Sequence, residues 1–273
     1  MGEEWIGRIE GGHDLKVGEI TARLEKRLPC VWSEDWDNVG LIIGDANAEV
    51  EKIAVSLDAT ERSVEDAVRN GCQMLIVHHP AIFRAIKKIV QPSPLAKMIS
   101  AAIRAGVAVY SSHTNWDSSP EGVNVILARL IGLADVCPIM TPHDGAWGMG
   151  AIGGLTAPLT VNALARKAKE AWGLSTLLTY GDDETPLSRV ALCGGAGGDL
   201  LHMTIEMGAD VFITADVSYH YLLHAQLTST HLIVVNHGEM ERASLPDFCK
   251  VIREVSGLEA LLLKNENWTP IVI

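Results

Sequence analysis

A chain of 273 residues, 48% apolar and 21% charged, has the material for a sizeable core, as one large α/β domain or two smaller ones. Its 34 acidic residues outnumber 22 basic ones, and a net charge of −12 argues against broad adhesion to nucleic acid or anionic lipid, though not against a small anionic substrate. The five cysteines are dispersed with no close pair, which points to buried thiols in a reducing compartment rather than a disulfide framework.

Met1 to Asp14 reads as a loose polar leader, without the basic end and apolar run of a signal peptide. No stretch approaches the ~20 apolar residues of a membrane span, so a cytoplasmic protein is expected. Leu15 to Leu28 sets Ile20, Leu24 and Leu28 four apart, an amphipathic helix stopped by Pro29. The next loop, 32–41, mixes tryptophans with acids and reads as packed and hydrogen-bonded. Leu41–Ile43 and Ile53–Leu57 are strands, with Asp58-Ala59-Thr60 as a strand end and N-cap for a helix over Glu61–Asn70 that Gly71 stops.

Met74–Val77 is apolar without alternation, the pattern of a central strand covered on both faces, and it ends in His78-His79-Pro80. Neighbouring residues on a strand point to opposite faces, so the two imidazoles share one site only if the strand has ended. Strand, helix and strand at this spacing form a βαβ unit with parallel strands. Open parallel sheets bind ligands outside the carboxyl ends of their strands. After a helix over Pro92–Ala105, the strand Val107–Tyr110 runs into a second polar set, 111–117. If the two strands are neighbours, Asp117 adds a carboxylate to the imidazoles, and His113 is a candidate to orient them. A helix over Glu121–Ile131 follows.

Between Cys137 and Gly154 the composition shifts to Pro, Gly and polar residues, a linker signal. It divides the chain into a first half, 1–137 plus 237–273, and a second half, 138–236. The second holds a helix over Val161–Trp172, strands near Ser175–Tyr180 and Arg189–Cys193, and the run Gly194–Gly198. That run reads as a tight strand-to-helix turn rather than a phosphate cradle. Strand Val211–Thr214, a helix with Tyr219 and Leu222, and strand Leu232–Val235 repeat the earlier order, which suggests an internal duplication in fold. The last strand ends in His237 and Glu241, four apart and therefore on one helical face. A helix over Ser244–Val255 and strands at Leu261–Leu263 and Ile271–Ile273 close the chain. The expected fold is α/β, with two similar halves on mixed, largely parallel sheets.

The set His78, His79, Asp117, His237 and Glu241 resembles that of the GTP cyclohydrolase I type 2 homologs, also called NGG-interacting-factor-three-like proteins. The likeness extends through 36–41, 57–60, His78-His79-Pro80 with Phe83, 113–117, 194–198 and 237–241, nearly the whole chain. It implies a dinuclear metal site made from those five residues, with Glu241 bridging. It also implies a toroidal homohexamer enclosing a cavity, and this chain is too short for the extra inserted domain of longer relatives. Ala151 stands where many relatives have arginine, and Thr214-Ala215-Asp216 replaces the more usual Thr-Gly-acid; both leave the ligands untouched but bear on substrate preference.

Three imidazoles and two carboxylates suit Zn, Fe, Mn, Ni or Co, and two divalent ions per subunit would keep open coordination positions. The chemistry that follows most directly is hydrolysis by metal-activated water, acting on a cyclic amidine such as the imidazole ring of a purine nucleotide, or on a phosphoester. The family name points to opening of the GTP ring. His113, Glu239 or His220 are candidate proton shuttles, and Lys87, Lys88 and Arg242 candidate phosphate contacts. The alternative is a non-enzymatic metal-binding or regulatory hexamer.

Overall fold

Apolar runs that lack alternation fill the centres of two sheets: Met74–Val77 in one and Val211–Ala215 in the other are buried throughout. The computed structural model describes residues 15–141 and 148–264. It opens with β1 (Leu15–Lys16), α1 (Val17–Arg27), β2 (Gly40–Ile43), β3 (Glu49–Val50), β4 (Lys52–Asp58) and α2 (Glu61–Arg69). There follow β5 (Met74–His79), α3 (Pro94–Ala105), β6 (Ala108–Ser111), α4 (Thr114–Asp117), α5 (Val123–Leu130) and β7 (Ala134–Cys137). Next come β8 (Ala151–Leu159), α6 (Val161–Trp172), β9 (Leu177–Tyr180), β10 (Leu187–Leu192), α7 (Leu201–Glu206) and β11 (Val211–Ala215). The described chain closes with α8 (Tyr219–Leu227), β12 (His231–Val235), α9 (His237–Arg242), α10 (Leu245–Ser256) and β13 (Glu259–Leu262).

The first sheet has the order β13-β4-β5-β6-β2 and is parallel except for β2. The second has the order β7-β8-β10-β11-β12-β9, with a parallel centre, β10-β11-β12, and antiparallel strands on both sides. Both are therefore mixed, and the second is less parallel than the sequence pattern suggests. A short β1–β3 ladder stands apart.

The order of elements repeats. A helix, an antiparallel strand and three parallel strands joined by two helices occur as α1-β2-β4-α2-β5-α3-β6, and again as α6-β9-β10-α7-β11-α8-β12. Each series continues with a short helix, a longer helix and a strand: α4-α5-β7 and α9-α10-β13. That last strand crosses to the other series' sheet, β13 beside β4 and β7 beside β8. Residues 134–137, read from the sequence as part of the first half, thus pair in the second sheet.

Alternation on the strands sorts the core into layers. Met74 and Ile76 join Ile20, Leu24, Leu127, Leu164, Phe248 and Ile252 in one cluster that also takes Val190, Ile213 and Ile233, so α1, α5, α6 and α10 pack between the two sheets. Leu75 and Val77 face the other way, against Val64, Ala67, Ile99 and Ala102 of α2 and α3. Phe212 and Leu232 meet Leu201 and Ala225 of α7 and α8. Truncating a fully buried core residue such as Ile76 to alanine costs about 2–5 kcal/mol.

Three local expectations are revised. The strand does not end before the histidines: β5 runs to His79, paired with β4 as far as Asp58↔His79, whereas its ladder with β6 stops at Val77↔Ser111. Beyond that point the flank towards β6 is held by a side chain, Ser111 Oγ donating to the His78 carbonyl at 3.0 Å, and the two imidazoles lie with ring centroids 5.0 Å apart. The stretch read as a linker includes the last residue of β7, a Met140–Met149 bridge and the start of β8, and Thr114–Asp117 is a one-turn helix. The leader, the strand at Ile271–Ile273 and the middle of the linker lie outside the described residues. Among the described residues, no helix is long and apolar enough to cross a membrane.

Candidate metal centre

Three strand ends converge on one point. Past β6, the Asp37 carboxylate takes the Thr114 N–H at 3.0 Å, and Asn115 Nδ2 donates to the Leu28 carbonyl at 3.0 Å, which together fix α4 and the buried Asp117 on it. Past β12, Asn236 Oδ1 accepts the Glu239 N–H at 3.0 Å and caps α9, which carries His237 and Glu241. A single buried side chain ties the first of these ends to the glycine run past β10: Asn124 of α5 donates to the Asp117 carbonyl at 3.0 Å and accepts the Gly194 N–H at 2.8 Å.

Each imidazole has its Nδ1 held from behind. His78, 1% exposed, donates Nδ1–H to the Ser112 carbonyl at 3.0 Å. Burial pushes its pKa down, so it is neutral and Nε2 carries the lone pair. His79 Nδ1 lies 2.7 Å from Asp58 Oδ1, and His237 Nδ1 2.6 Å from Asp216 Oδ2. The three Nε2 atoms face Glu241. Its Oε1 is 3.2 Å from His237 and 3.6 Å from His78, and its Oε2 is 2.9 Å from His79. His78 Nε2 is also 3.6 Å from Asp117 Oδ1.

These contacts do not satisfy the atoms that make them. The close His79–Glu241 approach is not aligned as a hydrogen bond, and His78 Nε2, His79 Nε2, Asp117 Oδ1 and Glu241 Oε2 are all buried without a hydrogen-bond partner. Each buried orphan of this kind costs about 1–3 kcal/mol. Four at one point fit a cation that would accept their lone pairs. Three overlapping groups bring one donor atom per residue within 4.8 Å of one another: His78–Asp117–Glu241, His79–His237–Glu241 and His78–His79–His113.

The electrostatics mark the same place. Burial and the neighbouring Glu241 push the Asp117 carboxyl well above its ordinary range. Burial opposes charge on Glu241 too, but the charged imidazoles of His237 and His79 outweigh it and hold this carboxylate well below its usual range. Burial likewise opposes the charged form of His79, yet Asp58 and Glu241 raise it to about 10. His237 is raised to about 9 against its own burial by Glu241 and Asp216. Without ions, protons occupy positions that metal cations would contest.

All five expected ligands are therefore brought together. His113 joins them, its ring 5.1 Å from that of His78 and 5.6 Å from that of His79, with Nδ1 2.9 Å from Asp37 Oδ1. Burial of Asp37 works against its charge, but His113 and Thr114 pull its pKa down to about 2, so the acidic loop is hydrogen-bonded as expected. Glu239 does not join them. Two positions from each ligand, it points to the other side of α9 and accepts the Ser175 N–H at 2.8 Å and hydroxyl at 2.9 Å. His220, Lys87 and Lys88 are exposed and, like Arg242, do not line the cavity at the donor cluster.

The sequence reading passed over three contributors. Asp58 and Asp216 look like ordinary strand-end acids, and only cross-strand register, Asp58 opposite His79, reveals the first. The glycine run is more than a turn. Gly195 adopts φ +69°, and a Cβ there would lie 2.5 Å from Glu241 Oε1 and 3.2 Å from His237 Nε2. Backbone thus forms one wall of the centre, beside a cavity of about 620 Å³.

A profile of the Duf34/NIF3 (NGG1p interacting factor 3) family matches residues 15–267. A Clostridium acetobutylicum protein named "GTP cyclohydrolase 1 type 2 homolog" is 31% identical over 262 residues, 95% of each chain. Drosophila melanogaster NIF3-like protein 1 is 27% identical over 255 residues, 92% of this chain and 86% of its own. The fold matches that of a Bacillus cereus protein related to NIF3, with a TM-score of 0.88 at 19% identity, over 96% of this chain and 100% of that one. With mixed sheets, a shared fold and a match over most of its length, this chain belongs to the Duf34/NIF3 family.

Proposed function

We propose that this protein binds two divalent metal ions per subunit and is a metal-dependent hydrolase of a small molecule, opening a cyclic amidine ring of the purine type. The observation that carries the reading is Glu241: it belongs to two donor groups at once, with His78 and Asp117 on one side and His79 and His237 on the other. In this reading Glu241 would be shared by the two ions, with His78 and Asp117 holding one and His79 and His237 the other. When bound, such a pair lowers the pKa of a coordinated water and stabilises a developing oxyanion.

The protein's own part is orientation and proton traffic. Asp58, Asp216 and the Ser112 carbonyl hold Nδ1 of the three ligands, so that each Nε2 faces inward. Asp37 holds His113 in the same way and leaves its Nε2 to take a proton from the attacking water and return it to the departing ring nitrogen. We assign no such role to Glu239, whose carboxylate is engaged by Ser175. A toroidal homohexamer belongs to this reading; in its support, Leu178 and Tyr180 on the edge strand β9 and Tyr219, Leu223 and Leu227 on α8 are exposed. All five cysteines are free, in keeping with a reducing, cytoplasmic setting.

The test is to load the purified protein with each candidate metal, measure the ions bound, and follow ring opening of GTP and guanosine by loss of purine absorbance, with formate release as the readout of a second hydrolysis of the formamide, beside a phosphoester panel. Ring opening that disappears in Glu241→Ala, in an assembly still folded and hexameric by light scattering, supports the reading. Two ions bound with no turnover on the whole panel contradicts it and leaves a metal-holding protein.

A further inference from the structure

Beyond the donor atoms, the cavity has a wall that metal binding does not explain. Trp36 and Phe83 stand with ring centroids 5.6 Å apart, and each lies just over 6 Å from the His113 ring. They are 57% and 46% exposed, costly for large aromatic surfaces unless something covers them. At the other end of the row of imidazoles, beside His237, lies the side-chain-free backbone around Gly195. The space between an aromatic pair and a glycine wall suits a flat ring better than a branched or bulky group.

The charge of the lining narrows the choice further. Besides Asp117 and Glu241, the cavity is lined by the carboxylates Glu34 and Asp199, and by no Lys or Arg among the described residues. The segment 142–147, between two lining residues Met140 and Met149, contains neither in its sequence. Burial raises the Glu34 carboxyl, and Asp199, Asp35 and Asp37 add to the effect, the signature of an already crowded negative field. A nucleoside triphosphate would bring further negative charge into that field, with only the ions at the inner end to receive it.

We propose that this cavity takes a flat nitrogen heterocycle without phosphate, a nucleobase or nucleoside, stacked on Trp36 with the Phe83 ring, tilted 56° to it, at the heterocycle's edge, and that Glu34 and Asp199 discriminate against its phosphorylated forms. The proposal deepens the hydrolase reading by naming its substrate class, and it rests on that reading only for the chemistry that follows binding. Base–aromatic stacking is the sequence-tolerant way proteins hold such rings, and like-charge juxtaposition is the usual way they reject a charged competitor.

The experiment is calorimetric binding of guanosine and of GTP to the metal-loaded full-length protein, with the metal in excess so that chelation does not intervene. Guanosine should bind at least about tenfold more tightly than GTP. Trp36→Ala should weaken guanosine about tenfold at unchanged metal content. E34Q/D199N should close most of the gap by strengthening GTP while leaving guanosine unchanged. GTP binding as tightly as guanosine, or neither ring binding, would overturn the proposal, as would a gap that E34Q/D199N leaves intact. A preference for guanosine with no ring opening would overturn the hydrolase reading alone.

Discussion

The carboxyl ends of the two parallel three-strand units have the same layout but carry different chemistry. In the first unit β4 ends in Asp58, β5 in His78 and His79, and β6 leads into the helix bearing Asp117. In the second, β10 ends in the glycine run, β11 in Asp216, and β12 leads into the helix bearing His237 and Glu241. One end supplies most of the nitrogen donors; the other supplies the shared carboxylate and a wall without side chains. Duplicated topology thus sets two strand ends against each other, and unlike residues at matching places turn that meeting into a single asymmetric centre.

The largest expected effect comes from removing the one residue that spans the asymmetry. Glu241→Ala should empty both ion positions at once, read as metal per chain by plasma mass spectrometry; loss of one ion only would break the assignment of Glu241 to both donor groups. Gly195→Ala adds a Cβ 2.5 Å from Glu241 Oε1 at a left-handed backbone position. It should cost about 1–2 kcal/mol of stability from the backbone alone and about 100-fold in turnover through displacement of Glu241. Denaturant titration and kinetics would separate the two, and near-normal turnover would remove the glycine wall from the account.

The orienting acids sharpen the comparison. Although they come from opposite units, Asp58 and Asp216 serve His79 and His237, which share a donor group. Asp58→Asn and Asp216→Asn should each weaken the same ion by about 10- to 100-fold and spare the ion near His78 and Asp117, as metal titration with two resolved affinities would show. Asn124→Ala cuts the hydrogen-bonded link between the units and leaves the buried Gly194 N–H unpaired, for about 1–3 kcal/mol in thermal or chemical unfolding.

The mildest effect is on pH dependence. Without ions, His79 and His237 keep their protons up to about 10 and about 9, against an ordinary 6.5. Their contribution to metal-free stability is complete below pH 6.5 and is lost as pH rises through those values. Ions compete with the same protons, so metal affinity should climb over the same range. The melting temperature of metal-free protein should fall between pH 6.5 and 9.5, with the shift produced by added metal growing; a metal-induced shift that stays flat would contradict the protonation pattern.

How much of this was legible in the sequence follows from the range of each signal. Unalternating apolar runs mark the central strands, and polar clusters at their ends mark the five side chains that the fold brings together, because both are local in the chain. β8 escaped notice because Gly153-Gly154 and Pro158 interrupt the strand pattern along its length. The one-turn helix α4 is too short to show a period, and the Asp37 carboxylate that fixes it comes from a loop far back in the chain. Asp58, Asp216, Asn124 and Gly195 act only across the fold. Their roles depend on register and approach, which neighbouring residues do not encode. Glu239 shows the converse: it is near His237 and Glu241 along the chain, but its carboxylate is turned to Ser175.

The most direct measurement is an anomalous-scattering map from crystals grown with the bound metal. The account predicts two peaks about 3.5–4 Å apart, one between His78 and Asp117, one between His79 and His237, and Glu241 touching both. A single peak, or two peaks of which Glu241 reaches only one, would contradict it.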